Sequence, residues 1–448
     1  MKSFDKFQSL ITTLDLVVFA LMLFITFAFI MYGHYKGKKF SQIDDQNESF
    51  LDLMLMGRKL TLPIFTATLV ATWYGGIFGV AEIAFSNGIY NFVTQGFFWY
   101  MSYIIFAFFI IAKIKDYQAV TLPDLIGRMF GPKSEKLAAV FNILNLVPVA
   151  YCISIGLFIK MIFGLQLEIS IIFGVLLVLS YSLIGGFRSV VYSDIFQFFI
   201  MTASVAMVFI LSFTEYGLAP MSLLPESYFS PLGTSTLGET FAWGLIALGT
   251  LVDPNFYQRC FAAIDFKTAK KGILVSTVIW ICFDLCLTFG AMYAKAIMPD
   301  ADPSEGYFLY ALTLLPAGLR GFFLAGICAT ILSTLDSYLF LAGSTMAYDL
   351  APKKYQQSPI VLRLGIVLVG LVAVILSFSF EGNIKAVWKT LGSISTSALL
   401  APVFFGYLSK TKISDMAFIY SACTGAIVTI AWRLTPAKAY FSLDEIYI

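Results

Sequence analysis

Thr330, Ser333, Thr334, Asp336 and Ser337 stand within GICATILSTLDSYL, in the middle of an apolar stretch that runs from about 319 to 347. The four hydroxyl residues follow i, i+3, i+4, i+7 and share one helical face. Asp336 lies three residues after Ser333, on the flank of that face. Ser333 can therefore serve two adjoining oxygen groups, one with Thr330 and Thr334 and one with Asp336 and Ser337. Hard cations take oxygen shells of this kind. Bonding of a hydroxyl to the carbonyl one turn back would account for the serines and threonines, but not for Asp336. A carboxylate at the middle of a bilayer costs about 3 kcal/mol or more unless it is paired or hydrated. The cluster is expected to hold an ion.

Two further segments carry chemistry-bearing residues beside helix breakers. ATWYGGIFG places Trp73, Tyr74, Gly75, Gly76 and Gly79 inside one apolar run, and LGTLVDPNFYQ places Gly249, Asp253 and Pro254 inside another. A membrane helix interrupted at such a point exposes backbone carbonyls and amides, which is how central binding sites are built. Asp253, just before Pro254, is placed to meet a cationic solute. Among the other ionisable residues, Glu82 and Lys160 lie near helix ends and are expected to snorkel. Asp194 lies just inside its helix from a basic loop, and Asp284 is mid-span without a partner near it in sequence.

The elements that must hold these residues are membrane helices. The chain has 448 residues, 59% of them hydrophobic and only 12% charged, about half the charged share of a soluble domain. Apolar segments recur at roughly 13–33, 61–86, 94–113, 137–163, 168–184, 190–213, 239–258, 273–297, 319–347, 359–381, 384–407 and 415–433. Each is near the ~20 residues that cross a bilayer as a helix. The fold class is an all-α integral membrane protein of about twelve transmembrane helices. About twenty of the 29 Lys and Arg fall in alternate loops on one side, among them YKGKKF, GPKSEK and FKTAKKG. That side is cytoplasmic by the positive-inside rule, which puts both termini outside. The location implied is the plasma membrane, with bacterial inner membrane expected, in multiple passes.

Setting the first helix aside, ten helices from 61 to 407 divide into two groups of five, and an odd number of crossings inverts the second group. Residues 1–60 then hold an extra helix (13–33) and a cytoplasmic loop, 61–213 a first repeat, 214–238 an external loop, 239–407 a second repeat, and 408–448 a last helix with an external tail. The two interrupted segments open the two repeats, the pattern of an inverted-repeat transporter. The six cysteines have no zinc spacing and read as small apolar packing residues. His34, the only histidine, stands beside a basic stretch as a loop residue. Membrane-embedded hydrolysis has no nucleophile elbow to build on. The N-terminal apolar run is too long for a signal peptide and lacks a cleavage site.

Several of these strings together resemble the sodium:solute symporter family. GLQLEISIIFGVLLVLSYSLIGGFRS (164–189) is similar to its signature, with Tyr181, Ser182, Gly185 and Gly186 in order. VVYSDIFQ follows with Asp194 and Gln197, and MLMGRKLTLP and FLAGICATILSTLDS match as well. The resemblance covers roughly 50–410. It implies a leucine-transporter-type fold with a 5+5 inverted repeat core, alternating access, and uptake of a small polar organic solute on the sodium gradient. It implies a sodium site from the carbonyls of Ala71, Tyr74 and Thr330 with the hydroxyls of Ser333 and Thr334. A second sodium site, found in some members, would use Asp194, Ser333, Asp336 and Ser337. Many members carry serine where this chain has Asp336.

The Thr-Trp-x-Gly-Gly string resembles the choline-transporter branch, though that branch has Pro-Trp where this chain has Asp253-Pro254. A quaternary ammonium such as choline is one expectation for the substrate, held by Trp73, Gly75, Gly76, Tyr151 and Asp253 with cation–π contact at Trp73. An amino acid or other small metabolite is the alternative. A membrane sensor of the same fold and a channel are the readings from other classes, and an enzyme is not expected. The partners expected are the solute, sodium ions and the lipid bilayer, without nucleic acid; the sequence leaves the oligomeric state open.

Overall fold

The computed structural model describes residues 3–40, 46–184, 186–356, 358–435 and 446. Gly185 of the signature string and most of the C-terminal tail lie outside the described residues. Among those described, nine helices are long and apolar enough to cross a membrane. The remaining three apolar segments are built otherwise: two are interrupted and one is a helix of 16 residues.

Leaving aside the short helices Ser3–Leu10, Gln46–Leu55, Leu122–Met129 and Gly306–Leu314, the helices in chain order are α1 (Thr13–Gly37), α2 (Leu62–Ala71), α3 (Ile77–Asn87), α4 (Phe92–Ile114), α5 (Pro132–Phe163), α6 (Leu167–Ser182) and α7 (Phe187–Tyr216). Then follow α8 (Leu237–Ala247), α9 (Pro254–Ala262), α10 (Phe266–Ile297), α11 (Leu319–Leu350), α12 (Pro359–Phe378), α13 (Ile384–Leu408) and α14 (Asp415–Leu434). Between α2 and α3 the chain leaves helical geometry from Thr72 to Gly76. Between α8 and α9 a 3₁₀ turn, Leu248–Val252, leads to an extended Asp253. Pro254 opens α9, where its missing N–H costs nothing, and the Asp253 carboxylate accepts the Asn255 N–H at 2.8 Å as the helix cap. The segment 137–163 also differs from the sequence expectation. It starts at Pro132 and breaks at Val147, which Pro148 forces out of helical geometry.

Burial sorts the helices. The core window of α11 is wholly buried, whereas only 17% of that of α1 is. A polar helix face survives in a membrane protein where neighbouring helices rather than lipid surround it, and α11 is that helix. Peripheral α1 is held by specific contacts at one end: Asp15 accepts the N–H of Gly318 at 2.7 Å and of Gly321 at 3.2 Å, at the start of α11. Near the other end a Cβ on Gly33 would lie 2.7 Å from the Ser189 Cα, so glycine permits the close approach of α1 to α7.

The end carrying the basic loops is bridged by hydrogen bonds. The segments before α2 and after α9 pair as a short bridge, Leu60 donating to Ala262 (3.0 Å) and Ile264 donating to Leu60 (3.1 Å). Arg58 spans the same seam, donating to the carbonyls of Ala119 (3.1 Å), Gln118 (3.3 Å) and Phe261 (3.4 Å).

Candidate functional site

The hydroxyl face of α11 meets the break between α2 and α3. Thr330 bonds back to the Gly326 carbonyl at 2.7 Å and Thr334 to the Thr330 carbonyl at 3.1 Å. Ser333 is different. Its hydroxyl lies 2.8 Å from the Ala329 carbonyl of its own helix and 2.7 Å from the Ala71 carbonyl across the gap. Ala71 is the last residue of α2, so its carbonyl is one of those a helix end leaves without an intrahelical partner. Local back-bonding therefore explains Thr330 and Thr334 but not the reach of Ser333 to the unwound chain. Gly75 sits against the same face: a Cβ there would lie 2.6 Å from the Thr334 Cβ and 2.7 Å from the Tyr151 ring.

Asp194, Asp336 and Ser337 are buried beside this group. Asp194, which stands just inside its helix from a basic loop, is fully buried. Its Oδ2 accepts a hydrogen bond from Thr68 of α2 and lies 3.5 Å from Arg259 of α9. Arg259 also donates to Ser337 at 3.2 Å and to the Asn255 side chain. Asn255 in turn donates to Thr72 at 3.3 Å, joining the two interrupted segments. One oxygen of Asp194 and one of Asp336 have no hydrogen-bond partner. An unsatisfied buried carboxylate oxygen is costly, and two on neighbouring helices fit a cation's donor set.

A cavity of about 170 Å³ lies over this region. Trp73, Tyr74, Tyr151 and Asp253 line it, together with Tyr338, Trp388, Asn145, Gln95 and Trp99. That is below the ~300–1,000 Å³ of sites for drug-sized ligands, which restricts the occupant to a small solute. Trp73 is fixed edge-on to Tyr103 and Phe256, at 5.5 and 5.4 Å between centroids. Tyr338 donates to Asp253 at 3.3 Å and packs edge-on to Tyr151 at 4.9 Å. Gly75 and Gly76 do not line the cavity. They make room behind it, Gly75 for Thr334 and Tyr151, Gly76 for the Trp388 indole.

Of the residues singled out by sequence, the structure thus gathers Ala71, Thr330, Ser333 and Thr334 at one point, Asp194, Asp336 and Ser337 beside it, and Trp73, Tyr151 and Asp253 at the cavity. Tyr74 lines the cavity and stacks on Phe283 at 4.2 Å. The other ionisable residues lie apart from these groups. Glu82 pairs with Lys385 at 2.6 Å, both partly exposed, and Lys160 is exposed. Asp284 accepts a hydrogen bond from Tyr100 of α4.

Sequence reasoning missed Arg259, Thr68 and Asn145. Arg259 fell outside the apolar segment drawn to 258, although it stands four residues after Asn255 on the same helical face. Asn145 lies just before the Pro148 break, and proline was the available signal there. Thr68 had none; only the approach of α2 to α7 reveals it.

Comparisons with known proteins agree with this architecture. The osmoregulated proline transporter OpuE of Bacillus subtilis is 25% identical, covering 91% of this chain and 87% of its own length. The high-affinity proline transporter PutP of the same organism is 26% identical over 74% of this chain and 73% of its own. A sodium-coupled sialic acid symporter in a substrate-bound outward-open state superposes with a TM-score of 0.66 at 14% identity, covering 93% of this chain and 96% of that one. Mhp1, a nucleobase-cation-symport-1 family transporter, superposes with a TM-score of 0.54 at 12% identity, over 88% of this chain and 90% of its own. These likenesses show the fold, the leucine-transporter type with its 5+5 inverted repeat core. The profile of the sodium:solute symporter family matches residues 53–418, and the chain belongs to that family: it is a multi-pass membrane symporter of small solutes with sodium as the coupling ion.

Proposed function

We propose that this chain imports a small solute bearing a positively charged nitrogen, with two cation sites joined at Ser333. Site one takes the carbonyls of Ala71, Tyr74 and Thr330 with the hydroxyls of Ser333 and Thr334. The second takes Asp194, Ser333, Asp336 and Ser337. The observation that carries this reading is the 2.7 Å contact from Ser333 to the Ala71 carbonyl, which ties the fully buried helix to the break in its neighbour. A cation between them would fix α2 against α11 and favour one arrangement of the core. Only such differential affinity between two states can drive a transport cycle.

The solute lies in the cavity with its nitrogen toward Asp253 and Trp73. An amino acid of the proline type is the first substrate reading, supported by the two Bacillus relatives, which are proline transporters. A quaternary ammonium such as choline is the second, supported by the aromatic rings of Trp73, Tyr151, Tyr338 and Trp388 around one carboxylate. The backbone bridge at the end carrying the basic loops fits an arrangement that faces outward, with those loops cytoplasmic. The same orientation puts both termini outside and the chain in the plasma membrane. The repeats are assigned to 61–213 and 239–407, each opened by an interrupted helix.

A thermal-shift screen of the purified protein against proline, other amino acids and choline, with and without sodium, tests the proposal. A bound ligand stabilises by mass action. Proline or choline should raise the melting temperature only when sodium is present; stabilisation indifferent to sodium by any of them would overturn the coupling proposed here.

A further inference from the structure

Arg259 is among the largest fully buried side chains of the described residues and carries a charge with no exposure at all. Its guanidinium donates to Ser337 at 3.2 Å and to the Asn255 side chain, and sits 3.5 Å from Asp194. The face of Phe187 lies 5.7 Å away on a further side. Arginine does not give up its proton in proteins, so this is a permanent positive charge placed against the second cation site. Its electrostatic neighbours are Asp194, Asp336, Asp253 and Tyr338.

The charges can be summed. Asp194 and Asp336 bring two negative charges and Arg259 one positive, leaving one negative charge in a water-poor interior. Asp253 keeps its charge but belongs to the solute cavity that it lines, where the proposed positive nitrogen of the solute balances it. The partnerless Oδ1 atoms of Asp194 and Asp336 are the donor set left for an ion after the guanidinium has taken Asp194 Oδ2 and Ser337. One monovalent cation brings the cluster to neutrality. A divalent cation leaves an excess positive charge and faces the guanidinium at short range, and buried uncompensated charge costs several kcal/mol.

We propose that Arg259 is a specificity-determining residue of the second cation site, a fixed countercharge that admits one monovalent ion and turns divalent ions away. This rests on the second-site reading given above. It also gives α9 its place in the cycle, since the guanidinium ties that half-helix to α7 and α11 at the point where the ion binds.

The test measures binding of radioactive sodium to the purified full-length protein with calcium as competitor. Calcium takes oxygen ligands as sodium does but carries twice the charge. Arg259→Gln raises the negative charge of the cluster by one, and the calcium concentration that displaces half the sodium should fall at least about tenfold. Arg259→Lys keeps the charge sum, and calcium sensitivity should stay at about the wild-type level. Ser337→Asp reaches the same excess charge with the guanidinium retained, so it carries the test if Arg259→Gln does not fold. Wild-type calcium sensitivity in both Arg259→Gln and Ser337→Asp overturns the proposal, as does an Arg259→Lys variant that is as calcium-sensitive as Arg259→Gln. The second-site reading fails differently: Asp336→Ala would then bind as many sodium ions per chain as the wild type.

Discussion

Gly75→Ala is the substitution whose effect the structure defines most closely. The added methyl carbon would lie 2.6 Å from the Thr334 Cβ, 2.7 Å from the Tyr151 ring and 2.9 Å from the Thr334 hydroxyl. Carbon atoms in contact prefer about 3.5–4.0 Å, so something must yield by roughly 1 Å. Thr334 lies on a helix buried on every side, which resists displacement, and Tyr151 is backed by Tyr338. Overpacking of this kind costs about 1–3 kcal/mol. If the strain falls on the Thr334 hydroxyl, sodium affinity drops about 5- to 150-fold. Gly79→Ala is the matched control. Its methyl would meet Ile384 at 2.9 Å and Trp388 at 3.2 Å, away from the cation groups. Both variants should melt earlier than wild type without sodium, but only Gly75→Ala should lose sodium affinity in direct binding and in sodium-dependent thermal stabilisation. Gly75→Ala binding sodium as tightly as wild type would refute the assignment of Thr334 to the ion.

Four further outcomes follow from the geometry. Asp336→Ala should lower the sodium Hill coefficient of solute uptake from about 2 toward about 1, because the coefficient is bounded by the number of coupled sites; equal values near one in both proteins would remove the second ion. Asp253→Asn should weaken binding of the solute identified by thermal shift by about tenfold or more, the scale of a lost charge-assisted contact, and isothermal titration decides it. Tyr100→Phe removes a donor from the buried Asp284 and should cost about 1–3 kcal/mol of stability by denaturant or thermal unfolding, a loss that Asp284→Leu in the same background partly recovers. Lys385→Ala breaks an ion pair whose side chains are 36% and 29% exposed, so its stability change should stay within about 1 kcal/mol; a larger loss would mean that Glu82 is more deeply coupled to the fold than its exposure implies.

The legibility of the site varied from residue to residue. The hydroxyl face at 330–337 was readable because helical periodicity places i, i+3, i+4 and i+7 together whatever packs against them. The two breaks were readable because glycine and proline act on the backbone locally. Trp73 and Asp253 stood beside those breaks and Tyr151 entered through the resemblance to a transporter branch, yet Tyr338 and Trp388, which share the cavity, carry no signal that separates them from the many aromatic residues of an apolar chain. Gly75 and Gly76 were legible as special positions, while their work as clearance for Thr334, Tyr151 and Trp388 was not. Asp194 stood at the margin of a basic loop by sequence, and only packing showed it fully buried.

Local chemistry thus determined a great deal: the membrane-spanning segments, the side on which the basic loops gather, the places where helices break, and the oxygen-rich face that a hydrocarbon surround would not tolerate unused. These are properties of single segments, governed by hydrophobicity, periodicity and backbone sterics. The tertiary structure alone decided which segments meet. It brought the Ala71 carbonyl to Ser333 across 262 positions of sequence and set Arg259 between Asp194 and Ser337. Contacts between helices depend on how whole surfaces pack, and a residue such as Arg259, ordinary at the edge of an apolar run, acquires its meaning only from the two carboxylates that packing places around it.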